Sequence, residues 1–128
     1  MNNFLFCFDS NYNIPASCSI ISLLNNVDEK INIYIMHQDE SNSKFLPEQI
    51  NNHKMIENLK VIKVNLNNYK FPNVLGSHIS DATYFRLFIQ DYLKDNISFI
   101  TYLDCDVICL NNPLPSIKNE IENLKNYK

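Results

Sequence analysis

At 128 residues the chain has the size of one domain and can bury a single core. That leaves little room for a nucleotide site, a metal site and a closed acceptor pocket together. Hydrophobic residues make up 45% and charged residues 20%, a mixture too apolar for disorder, and no apolar run nears the roughly 18 residues of a membrane span. The formal charge of −3 argues against nucleic acid as a partner.

In chain order, Asn3 to Phe8 is an apolar run ending at Asp9, the signature of a buried strand. With no basic residues before it, this run is not expected to be a signal peptide, and the expected location is cytoplasmic. Asp9, Ser10 and Asn11 offer capping side chains, Pro15 suits a first turn, and Ile14, Cys18, Ile21 and Leu24 predict a helix to about Asn25. Ile31, Ile33 and Ile35 mark a second strand. Phe45, Leu46, Ile50 and Ile56 predict a helix from Ser43 to about Leu59, and Val61, Ile62 and Val64 a third strand. Asn65 to Ser80, punctuated by Pro72 and Gly76, reads as loop.

A third helix is predicted from Asp81 to Leu93, with Ala82, Phe85, Phe88, Ile89, Tyr92 and Leu93 on one arc and Arg86 at its edge. Ile97 to Leu103 reads as a fourth strand ending in Asp104-Cys105-Asp106. Val107, Ile108 and Leu110 form another short extended piece, and a polar terminal helix over Ile117–Leu124 should be loosely anchored. Residues 1–115 would form the ligand-binding part and 116–128 a terminal segment. Strands alternating with helices imply βαβ units: an α/β, Rossmann-like fold, mostly parallel, with helices on both faces.

Ten of the 11 basic residues are Lys; the exception is Arg86, and the single glycine is Gly76. One glycine excludes both a P-loop and a GxGxxG turn. The cysteines, Cys7, Cys18, Cys105 and Cys109, form no CxxC pair, and His37, His53 and His78 are scattered, which speaks against structural zinc. The thiols read as free, with Cys7 and Cys18 in the core.

In an open α/β sheet, ligands bind beyond the carboxyl ends of the strands. Two strands end there in acid, one at Asp9 and one at Asp104 and Asp106. In an extended segment, side chains at i and i+2 point to the same side, so Asp104 and Asp106 can both reach one hard cation, Mn²⁺ or Mg²⁺. The alternative is two solvated turn acids. Arg86 offers a planar fork suited to phosphate or sugar hydroxyls, or it is an exposed helix residue. On its own a loop His78 is more readily structural than a ligand, and Tyr12 is either core or a base-stacking platform.

Three segments carry a resemblance: Phe8-Asp9-Ser10-Asn11-Tyr12, His78-Ile79-Ser80-Asp81-Ala82-Thr83-Tyr84-Phe85-Arg86-Leu87, and Tyr102-Leu103-Asp104-Cys105-Asp106-Val107-Ile108. In order and spacing they resemble family 8 glycosyltransferases, the group of bacterial lipopolysaccharide galactosyl- and glucosyltransferases and glycogenin. The resemblance implies a GT-A fold, a UDP-hexose donor, a saccharide acceptor such as lipopolysaccharide, Mn²⁺, and transfer with retention. It implies that Asp9 and Asn11 contact the uridine, Tyr12 stacks near the uracil, and Cys7 and Phe8 line the base site through backbone. It adds His78 to the donor-binding set, turns Arg86 toward the donor sugar, gives the metal to Asp104 and Asp106, and lays the main chain at Cys105 against the nucleotide.

Family members run to roughly twice this length. The resemblance therefore implies a truncated chain lacking a downstream metal-binding His, the acceptor site and any membrane-contacting part. Such a chain would be open on one side, weakly active or inactive alone, and prone to self-association. A non-catalytic nucleotide-binding remnant is the main rival. A phosphoacceptor receiver domain would need an acidic pair after the first strand, and a haloacid-dehalogenase-like phosphatase would need its Asp-x-Asp there; here Asp9 stands alone.

Overall fold

The computed structural model describes residues 2–65, 81–93 and 97–127. Four parallel strands form one sheet in the order β3-β2-β1-β4: β1 Asn3–Phe8, β2 Ile31–His37, β3 Ile56–Lys63 and β4 Thr101–Tyr102. The order follows from the apolar pattern. β1 and β2 are apolar almost throughout and take the centre, whereas β3 exposes Glu57, Asn58, Lys60 and Lys63 and takes an edge.

Both faces of β1 are covered. Phe4, Phe6 and Phe8 pack with Ile20, Leu23 and Leu24 of α1 (Asn13–Asn26), with Ile50 of α2 (Glu48–Asn51), and with Leu114 of the last helix. Leu5 and Cys7, pointing the other way, pack with Tyr34, Met36, Ala82 and Phe85. The expected helices on both faces are thus present.

The segment over 81–93 is helical as predicted but wound more tightly. It is a 3₁₀ helix over Asp81–Phe88 followed by α3, Ile89–Tyr92. A period of three puts Ala82 and Phe85 on one side, against the sheet.

Several expectations are corrected. The helix predicted over Ser43–Leu59 is a 3₁₀ turn at Ser43–Phe45, the single turn of α2, and then β3. Pro47 caps α2 in an extended conformation, and Asn51 Nδ2 bonds the Ser43 and Leu46 carbonyls, so side-chain bonds wrap the chain instead of continuing a helix. His53 Nδ1 then accepts the Met55 N–H and turns the chain into β3. β4 keeps only two residues of the predicted Ile97–Leu103 strand, because β1 pairs with it only at Phe4 and Leu5. Val107, Ile108 and Leu110 form no strand. That stretch is stitched across α1 by Cys109 N–H to Ser22 Oγ and by Asn26 Nδ2 to the Cys109 carbonyl.

The terminal helix, α4, spans Leu114–Lys125, starts earlier than predicted, and is anchored at its first turn. Leu114 is buried in the core and Lys118 bonds Glu29, while the later turns are mostly exposed. Cys18 is exposed rather than core. The Asn65–Ser80 loop prediction, and His78 with it, falls on residues 66–80, outside the described ones.

At the amino ends of the strands three asparagines form a ladder. Asn58 Nδ2 donates to Asn32 Oδ1 at 3.0 Å, Asn32 Nδ2 to Asn3 Oδ1 at 2.8 Å, and Asn3 Nδ2 to the Phe99 carbonyl at 3.1 Å. It links all four strand segments in one register. Asn32, the buried middle rung, both donates and accepts. Asn32→Ala should therefore cost about 1 kcal/mol in urea unfolding, because it removes both inter-strand bonds while water can reach the exposed Asn58 and the half-buried Asn3. Ile14→Ala, at an exposed position, should stay within about 0.5 kcal/mol.

Candidate functional site

Chain order and strand order together locate the site. From β1 the chain moves outward through β2 to β3, then returns to the other side of β1 as β4. The crevice between the carboxyl ends of β1 and β4 is therefore the topological switch point, where α/β sheets take ligands. A cavity of about 360 Å³ lies there, lined by Cys7, Phe8, Tyr12, Ala82, Arg86, Tyr102, Asp104, Cys105 and Asp106.

Each lining residue arrives for a local reason. Cys7 and Phe8 are the last residues of β1. The Asp9 carboxylate accepts the Asn11 N–H at 2.9 Å and caps a 3₁₀ turn over Ser10–Tyr12, which carries Tyr12 back over the strand end. Arg86 follows the buried Phe85, and its guanidinium lies over the Tyr102 ring, 5.2 Å from the centroid. Leu103 N–H donates to the Leu5 carbonyl at 3.0 Å, and the chain then turns at Cys105 and Asp106. Asp104 and Asp106 thus share the cavity because a turn curls them together, not because an extended strand aligns them.

The structure brings together seven of the residues singled out from the sequence: Cys7, Phe8, Tyr12, Arg86, Asp104, Cys105 and Asp106. Asp9 and Asn11 do not line the cavity. Asp9 is buried and occupied with its capping bond, and Asn11 is exposed beside it. Tyr102 and Ala82 were missed. The signal for Tyr102 was its position two residues before Asp104 on the same strand end.

Burial sets the protonation of the cavity's weak acids. It pushes the Cys7 thiol up to about 12, against the pull of the Arg86 guanidinium, with the Cys105 thiol adding to the rise. Tyr102 is also raised, first by burial, then by Cys7 and by Asp104. Cys105 is raised by burial and by Asp106. At neutral pH the cavity presents two carboxylates and one guanidinium among neutral thiols and a neutral phenol. Oxygen donors of this kind suit a hard divalent cation rather than zinc. Among the described residues no group of three or more His, Cys, Asp or Glu gathers at metal-binding distance, and the carboxylates that line the cavity are those of Asp104 and Asp106.

The glycosyl transferase family 8 model matches residues 3–122. The chain belongs to glycosyltransferase family 8. It is 32% identical over 111 residues to General stress protein A of Bacillus subtilis (strain 168), covering 83% of this chain and 38% of that protein. Among solved structures it is similar to the galactosyltransferase LgtC in complex with donor and acceptor sugar analogs. There the TM-score is 0.72 at 23% identity, over 89% of this chain and 41% of LgtC. The apo WbbM bifunctional glycosyltransferase matches with a TM-score of 0.63 at 18% identity, over 91% of this chain and 20% of WbbM. The fold is thus GT-A, and the chain spans about two fifths of the length of General stress protein A and LgtC.

The family 8 cavity makes a prediction about thiols. The thiolate is the reactive species, and a thiol at about 12 is ionised in roughly one molecule in ten thousand at pH 8. Alkylation of the native chain followed by peptide mapping should label exposed Cys18 first and leave Cys7 unmodified until denaturant is added. Labelling of Cys7 in the native chain at the rate of Cys18 would contradict this assignment.

Proposed function

We propose that this chain binds the donor of a retaining hexosyltransferase, a UDP-hexose, in the cavity between the ends of β1 and β4. The carrying observation is that Tyr12, Arg86, Asp104 and Asp106 line one recess at the switch point of a family 8 fold. LgtC, whose fold this chain shares, was solved in complex with donor and acceptor sugar analogs, which supports a sugar donor and a saccharide acceptor here.

In this reading Tyr12 supplies a flat face for the uracil, and the backbone of Cys7 and Phe8 forms the edge of the base site. Asp104 and Asp106 would hold Mn²⁺ or Mg²⁺, which when bound supplies positive charge to the diphosphate. The Tyr102 ring lines the cavity beside Asp104 and carries the Arg86 guanidinium. Arg86 then presents a fixed, permanently charged fork to the donor sugar or the departing phosphate. The buried Cys7 thiol stays neutral beside it, so it adds no negative charge where the diphosphate must sit. His78, in the same family motif as Arg86, would complete the donor contacts. The acceptor is proposed to be a saccharide such as lipopolysaccharide, and the location cytoplasmic, where UDP-sugars are made.

Two protein carboxylates leave most of a cation's shell to water and phosphate, so metal and nucleotide should bind together. Isothermal titration should show UDP affinity rising at least about tenfold on adding Mn²⁺, a difference of about 1.4 kcal/mol. Asp104→Asn or Asp106→Asn should erase the gain. Equal UDP affinity with and without Mn²⁺ would contradict the proposal. Release of UDP from UDP-glucose or UDP-galactose, followed with saccharide acceptors, separates a transferase from a binding remnant.

A further inference from the structure

The loop that delivers Tyr12 to the cavity is held from outside itself. Asp9 and Asn11 bond each other, but Ser10 is fixed from the end of β2. Asp39 Oδ2 accepts the Ser10 N–H at 3.0 Å and the Ser10 hydroxyl at 2.7 Å. Asp39 is in turn set by His37, the last residue of β2 and fully buried. His37 Nδ1 accepts the N–H groups of Asp39 and Glu40, each at 2.9 Å. Its Nε2 lies 2.8 Å from Asn13 Oδ1, at the start of α1. Two donors on Nδ1 assign the ring proton to Nε2, which donates to Asn13. The ring is clamped edge-on by Phe8, with centroids 5.0 Å apart, and against Phe45 at 4.8 Å. One neutral imidazole therefore ties the turn after β2 to both ends of the Ser10–Asn13 loop.

We propose that His37 and Asp39 are positioning residues for this loop, acting through Ser10 and Asn13, and that protonation of His37 releases it. The inference deepens the donor reading above and rests on it for its consequence. A proton on Nδ1 would turn an acceptor into a donor facing two donors in a buried place, which costs both hydrogen bonds.

The charged groups around the ring are Asp9 after β1, Asp39 and Glu40 after β2, and Lys63 at the paired position on β3. The three carboxylates favour the charged ring, but burial outweighs them and holds the imidazole below its ordinary value. Because the fold favours the neutral ring, the contribution is whole above the ordinary imidazole value of about 6.5 and is lost as pH falls through the lowered one. Asp39 stays ionised across that window, because the two Ser10 hydrogen bonds hold its carboxyl below the usual range.

The test uses the full chain, Asp39→Asn and Asp39→Ala between pH 8 and pH 5. Its readouts are amide protection factors, UDP titration and urea unfolding. Asn keeps an oxygen acceptor for Ser10, and Ala removes it. Protection at Ser10, Asp39 and Glu40 should fall about tenfold or more on acidification of the unmutated chain. At pH 8, Asp39→Ala should lose Ser10 protection and about tenfold in UDP affinity, and Asp39→Asn should retain most of both. Urea midpoints of both variants should stay close to the unmutated chain, since Asp39 is exposed. Unchanged Ser10 protection in Asp39→Ala, or on acidification, overturns the proposal. Loop release as described, without UDP binding to the unmutated chain at any pH, supports the positioning role and overturns the donor reading.

Discussion

Everything in this structure hangs on a strand with no side to spare. Phe4, Leu5, Phe6, Cys7 and Phe8 are all buried, alternate residues facing opposite layers. A strand apolar on both faces can only sit inside a sheet with cover above and below. That requirement draws α1, α2 and α4 to one face and the helical segment of residues 81–93 to the other. It also fixes where polarity begins: the first acid, Asp9, must fall at the strand's carboxyl end, with β2 on one side and β4 on the other. The cavity exists because β1 ends there and β4 returns beside it.

The same constraint explains what the sequence disclosed. β1, β2 and α1 were legible because burial on both faces, or on one helical face, leaves an unbroken apolar pattern. β3 was legible only in its second half, at Val61 and Ile62, because an edge strand mixes apolar and charged residues, and Ile56 and Leu59 also extend the helical spacing of the residues before them. Only pairing with β2 decides between the two. β4 was overestimated for the opposite reason. Ile97 and Ile100 are apolar because they pack against cluster residues, not because they pair in a ladder. Cys18 was misassigned since its helical neighbours are apolar while its own position faces solvent.

The candidate site divides the same way. Asp104, Asp106, Arg86 and Tyr12 were legible as chemistry-bearing side chains at strand or helix ends. The His37–Asp39–Ser10 chain was not, because its meaning lies in the tautomer and in hydrogen bonds across 24 to 29 positions of sequence. Tyr102 likewise gains its role only through the ring that meets Arg86 in the shared cavity. These supporting residues make the difference between acids that happen to be near each other and a held constellation.

The account stands or falls on whether the ends of β1 and β4 serve one bound ligand. Paramagnetic broadening of amide resonances by Mn²⁺, recorded with UDP present, reads this directly. The account predicts selective broadening at Asp104 to Val107 together with Tyr12 and Arg86, dependent on UDP and lost in Asp106→Asn. Broadening confined to the Asp104–Asp106 turn, or scattered over the surface acids and unchanged by UDP, would contradict it.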